Sequence, residues 1–173
     1  MKKAELTTIG STVYVDIKGE ALRVPAKVDT GADASSIWAS NVFIDEAHKL
    51  HFTLFDKASP FYTGKDLVDA NFRVAMVKTS TGHKDLRYAV HLSVTMHGRT
   101  VRTTFNLSNR SRNRFPILIG RRTIKRKFLV DVAKGDIKTP EASTFELNQE
   151  LKKDPHSFFK KYHIGDSAIG EES

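Results

Sequence analysis

The stretch VDTGADASS, residues 28–36, decides how this sequence is interpreted. It places a carboxylate, Asp29, at the end of an apolar segment and follows it at once with turn-forming residues. Asp and Gly are ordinary turn residues, so a plain strand-end turn is one explanation. The alternative is that Asp29 carries out chemistry, and the rest of the chain has to decide between the two.

The segments around this stretch predict a β-rich body followed by a helical extension. Alternating or wholly apolar segments predict strands at 12–17, 21–28, 36–39, 72–79, 86–96, 99–107, 115–119 and 128–132. A long loop with one short helix is predicted over 40–70, a turn over 80–85, and a short helix after Gly120. The predicted domains are an all-β body, residues 1–133, and a C-terminal extension, residues 134–173. In the extension, Ser143 and Glu146 form a capping-box pattern, and Asp154-Pro155 predicts a second helix start.

Composition excludes several classes of protein. The 173 residues, 39% of them hydrophobic, suffice for one domain with a buried core. No apolar run approaches the roughly 18 residues of a membrane span, and MKKAELTTIG lacks the apolar segment of a signal peptide, although a removed signal would leave no trace. The absence of cysteine excludes disulfides, thiolate metal sites and a thiol nucleophile.

Positive charge is concentrated in the predicted β-body. The net charge is +8, and residues 1–138 contain 24 Lys and Arg against 13 Asp and Glu. Residues 110–127 contain eight basic residues and no acidic one. Such a field attracts polyanions, either acidic peptides or nucleic acid, while a solvated basic face is the alternative.

Aspartate chemistry at Asp29 requires a second carboxylate. Two carboxylates that share one proton divide the work, because the ionised one deprotonates water and the protonated one polarises a carbonyl. Only one Asp-Thr-Gly occurs, but a two-fold dimer would bring Asp29 of each copy together on its axis. In that arrangement Thr30 can brace the opposing loop, and Gly31 lets backbone approach the carboxylate.

Two motifs carry a resemblance to a known family. VDTGADASS resembles the active-site loop of retropepsins, the dimeric aspartic proteases, and PILIGRRTI (116–124) resembles the later apolar strand, Gly-Arg pair and short helix of the same fold. The resemblance covers about residues 6–132 and implies an all-β, retropepsin-like closed barrel with a flap hairpin near 72–96.

A narrower resemblance points to one bacterial branch. KVDTGA, LRYAV and LSNRSRNRFPILIGRR are similar to the RimB-like family, which is often labelled ATP-dependent zinc protease and is associated with RimK-type glutamate ligases. This chain has no HExxH and no Walker loop. Its seven histidines show no ligand spacing beyond His48 and His51. No metal and no other cofactor is therefore expected.

The resemblance implies a role for each matching residue. Asp29, Thr30 and Gly31 are predicted to be catalytic. Asp33 and Arg121 are predicted to form a partly buried salt bridge that supports the loop, with Gly120 beside them. The predicted substrate-binding residues are Ala32, His83, Arg73 and Arg87. Ser35 and Ser36 are expected to hydrogen-bond locally to the loop.

The expected function is that of a homodimeric aspartic endopeptidase. The basic body and the resemblance favour an acidic or poly-glutamate substrate. The resemblance alone implies a functional link to a glutamate ligase and a cytoplasmic location, and no membrane attachment is expected. The alternative is a non-catalytic basic β-domain that binds nucleic acid or acidic peptide. Only Phe115 interrupts the basic run, whereas binding of single strands favours several aromatic residues among the basic ones.

Overall fold

The computed structural model describes residues 5–78, 82–137 and 144–163, and the chain divides into two compact units, residues 1–137 and 138–173. Short strands make up most of the first unit. They are β1 Thr7–Gly10, β2 Thr12–Ile17, β3 Ala21–Val28, β4 Ser35–Ile44, β5 Leu50–Leu54, β6 Leu67–Asp69, β7 Arg73–Lys78, β8 Lys84–Met96, β9 Arg99–Ser108, β10 Ile117–Ile119 and β11 Phe128–Asp131. A single helical turn, α1 Arg121–Ile124, lies between β10 and β11.

Six strands close into a barrel, as the sequence predicted. Their order is β10-β3-β2-β8-β9-β4, and β4 pairs again with β10 to complete the ring. The β3–β10 and β4–β9 pairs are parallel, and the other pairs of the ring are antiparallel. The strands β7 and β8 form the predicted flap hairpin.

The barrel core follows the strand alternation in the sequence. On β8 the side chains of Val90, Val94 and Met96 are buried, and they share one face with Leu86. Leu86 is nevertheless 56% exposed, because the hairpin extends beyond the barrel. Burial of apolar area stabilises the fold by about 25 cal/mol per Å², so this filled interior is the main source of stability.

The prediction of a long loop over residues 40–70 is wrong where β4, β5 and β6 lie, and it is confirmed over residues 55–66, which are irregular. Strand β4 continues to Ile44, and β5 and β6 pair successively onto it. The alternation is interrupted at Asn41, which has a positive φ of 51° where the β4–β5 pairing shifts register. The bulge breaks the period-two pattern by which a strand is predicted, because an extra residue moves the following side chains to the other face.

Strand β1 was not predicted, and it pairs in parallel with β11 to form a small separate sheet. The chain after β11 also returns to the body: Ser11 N donates to Lys134 O (2.7 Å), and Ile137 N donates to Thr12 Oγ1 (3.0 Å). These bonds make the segment up to Ile137 part of the β unit.

The second unit contains two helices, α2 Thr144–Lys153 and α3 Pro155–His163. Asp154 caps α3 as predicted, since its Oδ1 accepts from His156 N (3.1 Å) and Ser157 N (3.0 Å). The predicted cap at Ser143 lies outside the described residues. Among the helices described here, none is long and apolar enough to cross a membrane.

Candidate active site

Strand β3 determines where Asp29 lies. Ala26 and Val28 are buried in the barrel, whereas Lys27 is exposed on the opposite face. Asp29 N donates to Ile119 O (2.9 Å), so the parallel pairing with β10 continues one residue beyond the strand. Strand alternation therefore places the half-buried Asp29 on the face of Lys27, outside the core.

The loop after Asp29 folds back on its carboxylate. Asp29 Oδ1 accepts hydrogen bonds from Gly31 N (3.0 Å) and Ala32 N (3.2 Å). Within the described residues no hydrogen bond reaches Oδ2, so one oxygen is fixed by backbone and the other is available to a reactant. A Cβ on residue 31 would lie 3.3 Å from Oδ1, and the small Gly31 avoids this crowding.

Helix α1 is hydrogen-bonded to the loop that follows Asp29. The carbonyl of Ala32 accepts from Arg121 N (2.8 Å), and that of Asp33 accepts from Arg122 N (3.0 Å). The first N–H groups of a helix have no partner within it, so the loop satisfies them and is anchored by them. Gly120 is required at this junction, because a Cβ there would lie 2.5 Å from the carbonyl carbon and oxygen of Ala34.

A buried chain of hydroxyls also supports the site. Gly120 N donates to Ser35 Oγ (3.0 Å), which lies 2.7 Å from Thr123 Oγ1, and Thr123 lies 2.9 Å from Thr103 Oγ1. The expectation that Ser35 bonds only locally is wrong, since its partners are more than 80 residues away. The sequence gives no signal for this network, because isolated Ser and Thr residues in strands are common.

Asp33 and Arg121 form the expected ion pair, with Arg121 Nη2 donating to Asp33 Oδ1. This hydrogen bond and the charge of Arg121 hold the pKa of Asp33 below its ordinary value of 3.8. The expected partial burial is not found in the single chain, where the two side chains are 65% and 58% exposed. The reason is their position at an open cleft of about 540 Å³, which is lined by Thr30, Asp33, Arg121, Arg122, Ile124 and Lys125.

The predicted substrate residues lie in two places. Ala32 is half-buried in the active-site loop, whereas Arg73 and Arg87 lie on β7 and β8 of the hairpin. Arg73 pairs with Ala89, and Arg87 with Ala75, so both arginines are on one face of the hairpin. His83 is exposed at its tip, next to residues 79–81, which lie outside the described part of the chain.

That face runs continuously to the strand of Asp29. Direct cross-strand pairs connect Ala89 to Asn106, Asn106 to Ser36, Ser36 to Leu118, and Leu118 to Lys27. Directly paired residues share a face. We call this side of the sheet the Asp29 face. Its residues are Arg87, Ala89, Asn106, Ser36, Leu118 and Lys27, of which Ala89, Asn106 and Ser36 are buried.

One residue beside the Asp29 face was missed by the sequence reasoning. Arg110 follows β9, and its guanidinium donates from Nη1 to Ser36 Oγ (3.2 Å) and from Nε to Phe115 O (3.0 Å). Its only signal in the sequence is membership of the basic run at 110–127. Nothing there distinguishes Arg110 from Arg112 or Arg114.

Comparison with known proteins identifies the family. Residues 8–141 match the family described as RimB-like, retropepsin-like aspartic endopeptidase RimB. A structure of a Legionella pneumophila protein of unknown function (DUF785) is similar, with 26% identity, a TM-score of 0.55, and coverage of 76% of this chain and 97% of that one.

A foamy viral protease–reverse transcriptase in complex with an RNA/DNA hybrid also matches, with 17% identity and a TM-score of 0.41. It covers 88% of this chain and 17% of the viral one. No curated protein matches. The match over residues 8–141 spans most of the chain and includes the Asp-Thr-Gly loop, so this chain belongs to the RimB-like family of retropepsin-like aspartic endopeptidases.

Proposed function

We propose that this protein is a homodimeric aspartic peptidase in which water is activated between the Asp29 carboxylates of two copies. The observation that carries the proposal is the Asp29 carboxylate itself. It lies outside the barrel core at a strand end, with Oδ1 fixed by two backbone N–H groups and Oδ2 not engaged by the described residues. Fixed geometry of this kind is what a catalytic base requires.

The proposed reaction uses one proton shared by the two carboxylates. The ionised Asp29 removes a proton from water while the oxygen of that water attacks the carbonyl carbon of the peptide. The protonated Asp29 transfers its proton to the carbonyl oxygen, so that the tetrahedral intermediate carries two hydroxyls. The first Asp29 then passes the proton that it took from water to the peptide nitrogen, and the second takes a proton back from one hydroxyl. The C–N bond breaks, an amine and a carboxylic acid are released, and the two carboxyls again share one proton.

The openness of the loop in a single chain supports a dimer. Thr30 and Gly31 are exposed beside the cleft, so a second copy can reach the catalytic loop. The β1–β11 sheet is a second candidate contact, since Leu129 is 53% exposed and Val132, just beyond β11, is 77% exposed. In the described residues β1 and β11 pair only with each other, which leaves two strand edges for a second copy.

Acidic peptides are the proposed substrates. Arg87 and Lys27 belong to the Asp29 face, and Arg110 contacts this face through Ser36. Positive groups of this density raise the local concentration of a poly-glutamate chain. A poly-glutamate-tailed protein, a cytoplasmic setting and a functional link to a glutamate ligase belong to the same proposal and follow from the family resemblance.

The test compares Asp29→Asn with a matched control. Asp56 also follows a buried strand end, and its Oδ1 accepts from the backbone two residues on, at Ala58 N (2.8 Å). Asp29→Asn should remove hydrolysis of an oligo-glutamate peptide, because loss of a general base costs roughly 10²–10⁴ in rate. Asp56→Asn should retain it.

Two results would decide against the proposal. Full hydrolysis by purified Asp29→Asn would exclude the carboxylate mechanism, and loss of wild-type activity on chelation, restored by zinc, would favour a metalloprotease. Tight nucleic-acid binding together with no hydrolysis of any acidic peptide would favour the basic binding domain.

A further inference from the structure

We propose that Arg110, beside the Asp29 face, binds a carboxylate of the substrate and thereby sets a preference for an acidic side chain near the cleaved bond. This inference rests on the proposed peptidase function and adds to it a specific recognition residue. It starts from the contacts of the guanidinium.

Arg110 is held in place by neutral partners. The Nε group donates to the Phe115 carbonyl (3.0 Å) and Nη1 to the Ser36 hydroxyl (3.2 Å), so two bonds fix the plane of the guanidinium. Two of its five N–H groups are used in this way. The edge formed by Nη1 and Nη2 still has donors, and it has the geometry that binds both oxygens of a carboxylate.

No carboxylate of the described residues forms an ion pair with Arg110, although its side chain is half-buried. Buried charges in proteins are usually paired. Burial lowers the pKa of the Arg110 guanidinium, and the nearby positive charge of Arg87 lowers it further. Arg87 itself bonds to Asp85 (2.7 Å), so the uncompensated charge belongs to Arg110. A carboxylate from outside the chain would compensate it.

The position of Arg110 fits a peptide bound across Asp29. Ser36 is on β4, which pairs with β10, and β10 pairs with β3, the strand that ends at Asp29. The pairs place Ser36 level with Lys27, two residues before Asp29. Two strand spacings of roughly 10 Å in total and about 7 Å along the strand give about 12 Å, which is roughly three to four residues of an extended chain. Arg110 can therefore contact a side chain roughly three or four residues from the cleaved bond.

The experiment is a position scan with matched variants. The substrates are an oligo-glutamate peptide and a set in which each glutamate in turn is replaced by glutamine. For the wild type, kcat/KM should fall at one position roughly three or four residues from the cut, by roughly ten- to a hundredfold, the range for a lost hydrogen bond to a charged group.

Arg110→Gln should lose that selectivity. Its kcat/KM on the all-glutamate peptide should fall to the value that the wild type has on the sensitive glutamine peptide, and the scan should show no decrease at that position. The control is Arg112→Gln, an exposed arginine of the same loop, which makes the same change in net charge and should give the wild-type profile. If Arg110→Gln does not fold, Arg110→Lys keeps the charge, loses the planar fork and should show reduced selectivity.

Other results would overturn the proposal. One is a peptide scan in Arg110→Gln or Arg110→Lys that is unchanged from the wild type. The other is an equal loss of kcat/KM by these variants on every peptide, which would indicate a structural role alone. If the wild type cuts no peptide, the peptidase function fails separately. Binding of oligo-glutamate then decides the role of Arg110, since it must weaken in Arg110→Gln and not in Arg112→Gln.

Discussion

At Gly120 and Gly31 the absence of a side chain has two different consequences. A Cβ at Gly120 would meet the backbone of Ala34 at 2.5 Å, and backbone cannot move aside without shifting the loop. A Cβ at Gly31 would meet only the Asp29 carboxylate, at 3.3 Å. The first glycine is needed for the fold and the second for the position of the Asp29 carboxylate.

We predict that Gly120→Ala lowers the free energy of unfolding by roughly 1–3 kcal/mol, the usual cost of overpacking. Gly31→Ala should unfold close to the wild type but lose most of its peptide hydrolysis. Chemical denaturation and kcat measured on both variants provide the check. Equal losses of stability in the two variants would contradict the distinction.

The second prediction at this scale concerns the pair between Asp33 and Arg121. Arg121→Ala should raise the pKa of Asp33 toward 3.8, because its hydrogen bond is the largest cause of the lowered value. Arg122→Ala should raise it less, since Arg122 acts only through its charge. Carboxyl NMR titration measures both pKa values, and an unchanged pKa in Arg121→Ala would show that the pair is absent in solution.

The sign of the linked stability follows from the direction of that shift. A lowered pKa in the folded state stabilises the protein above pH 3.8, and this contribution disappears as the pH falls through the folded value. Since both groups are exposed, salt screens the effect, and the melting temperature near neutral pH should change little in Arg121→Ala.

Much of the candidate site could be predicted at the scale of residues. Asp29, Gly31 and Gly120 belong to short motifs in which each residue has a local reason. The roles of Arg110 and Ser35 could not be predicted, because their partners Ser36 and Thr123 are 74 and 88 residues away in sequence. Such pairs are created by barrel closure and leave no local pattern.

At the scale of elements, the part of the sheet formed by β4, β5 and β6 contains a histidine between two carboxylates. His51 Nε2 lies 2.9 Å from Asp45 Oδ2, and Nδ1 lies 2.7 Å from Asp66 Oδ2. Both ring nitrogens can donate only in the imidazolium form. Hydrogen bonds to the two aspartates raise the pKa of His51 above 6.5, whereas hydrogen bonds from Lys49 N and His51 lower the pKa of Asp45 below 3.8.

The directions of these two pKa shifts predict a pH window in which the His51–Asp45 contact stabilises the β4–β5–β6 part of the sheet. The contribution of protonated His51 is complete below pH 6.5 and is lost as the pH rises through the raised pKa. The contribution of ionised Asp45 to stability is complete above pH 3.8 and is lost as the pH falls through the lowered pKa. His51→Gln should therefore destabilise the protein at about pH 5 and much less at about pH 9, by urea unfolding. The control is His91→Gln, because among the described residues the His91 ring hydrogen-bonds to a hydroxyl, Thr104 Oγ1, and to no carboxylate. An equal effect of His51→Gln at both pH values would exclude the charged cluster.

The sequence predicted the barrel strands well, because period-two alternation is strong in β8 and β9. It failed where alternation is broken, as at the Asn41 bulge in β4. It also failed at β1, whose four residues are too few to show a period and whose partner β11 is more than 110 residues later. Pairing between strands so far apart in the sequence leaves no local pattern.

At the scale of the whole molecule, the central claim is that one active site needs Asp29 from two chains. A single chain places one carboxylate on an open surface, and the mechanism needs two that share a proton. If this is correct, a chain with Asn at position 29 inactivates any wild-type chain with which it dimerises.

The most direct measurement is the activity of mixed dimers. Wild type and Asp29→Asn are refolded together in equal amounts, and hydrolysis of oligo-glutamate is expressed per wild-type chain. Random pairing leaves about half of the wild-type chains in fully active dimers, so we predict that this activity falls to about half, and further as the variant is added in excess. Asp56→Asn in the same mixture should leave it unchanged. Activity per wild-type chain that stays constant at every ratio of Asp29→Asn would contradict the shared active site.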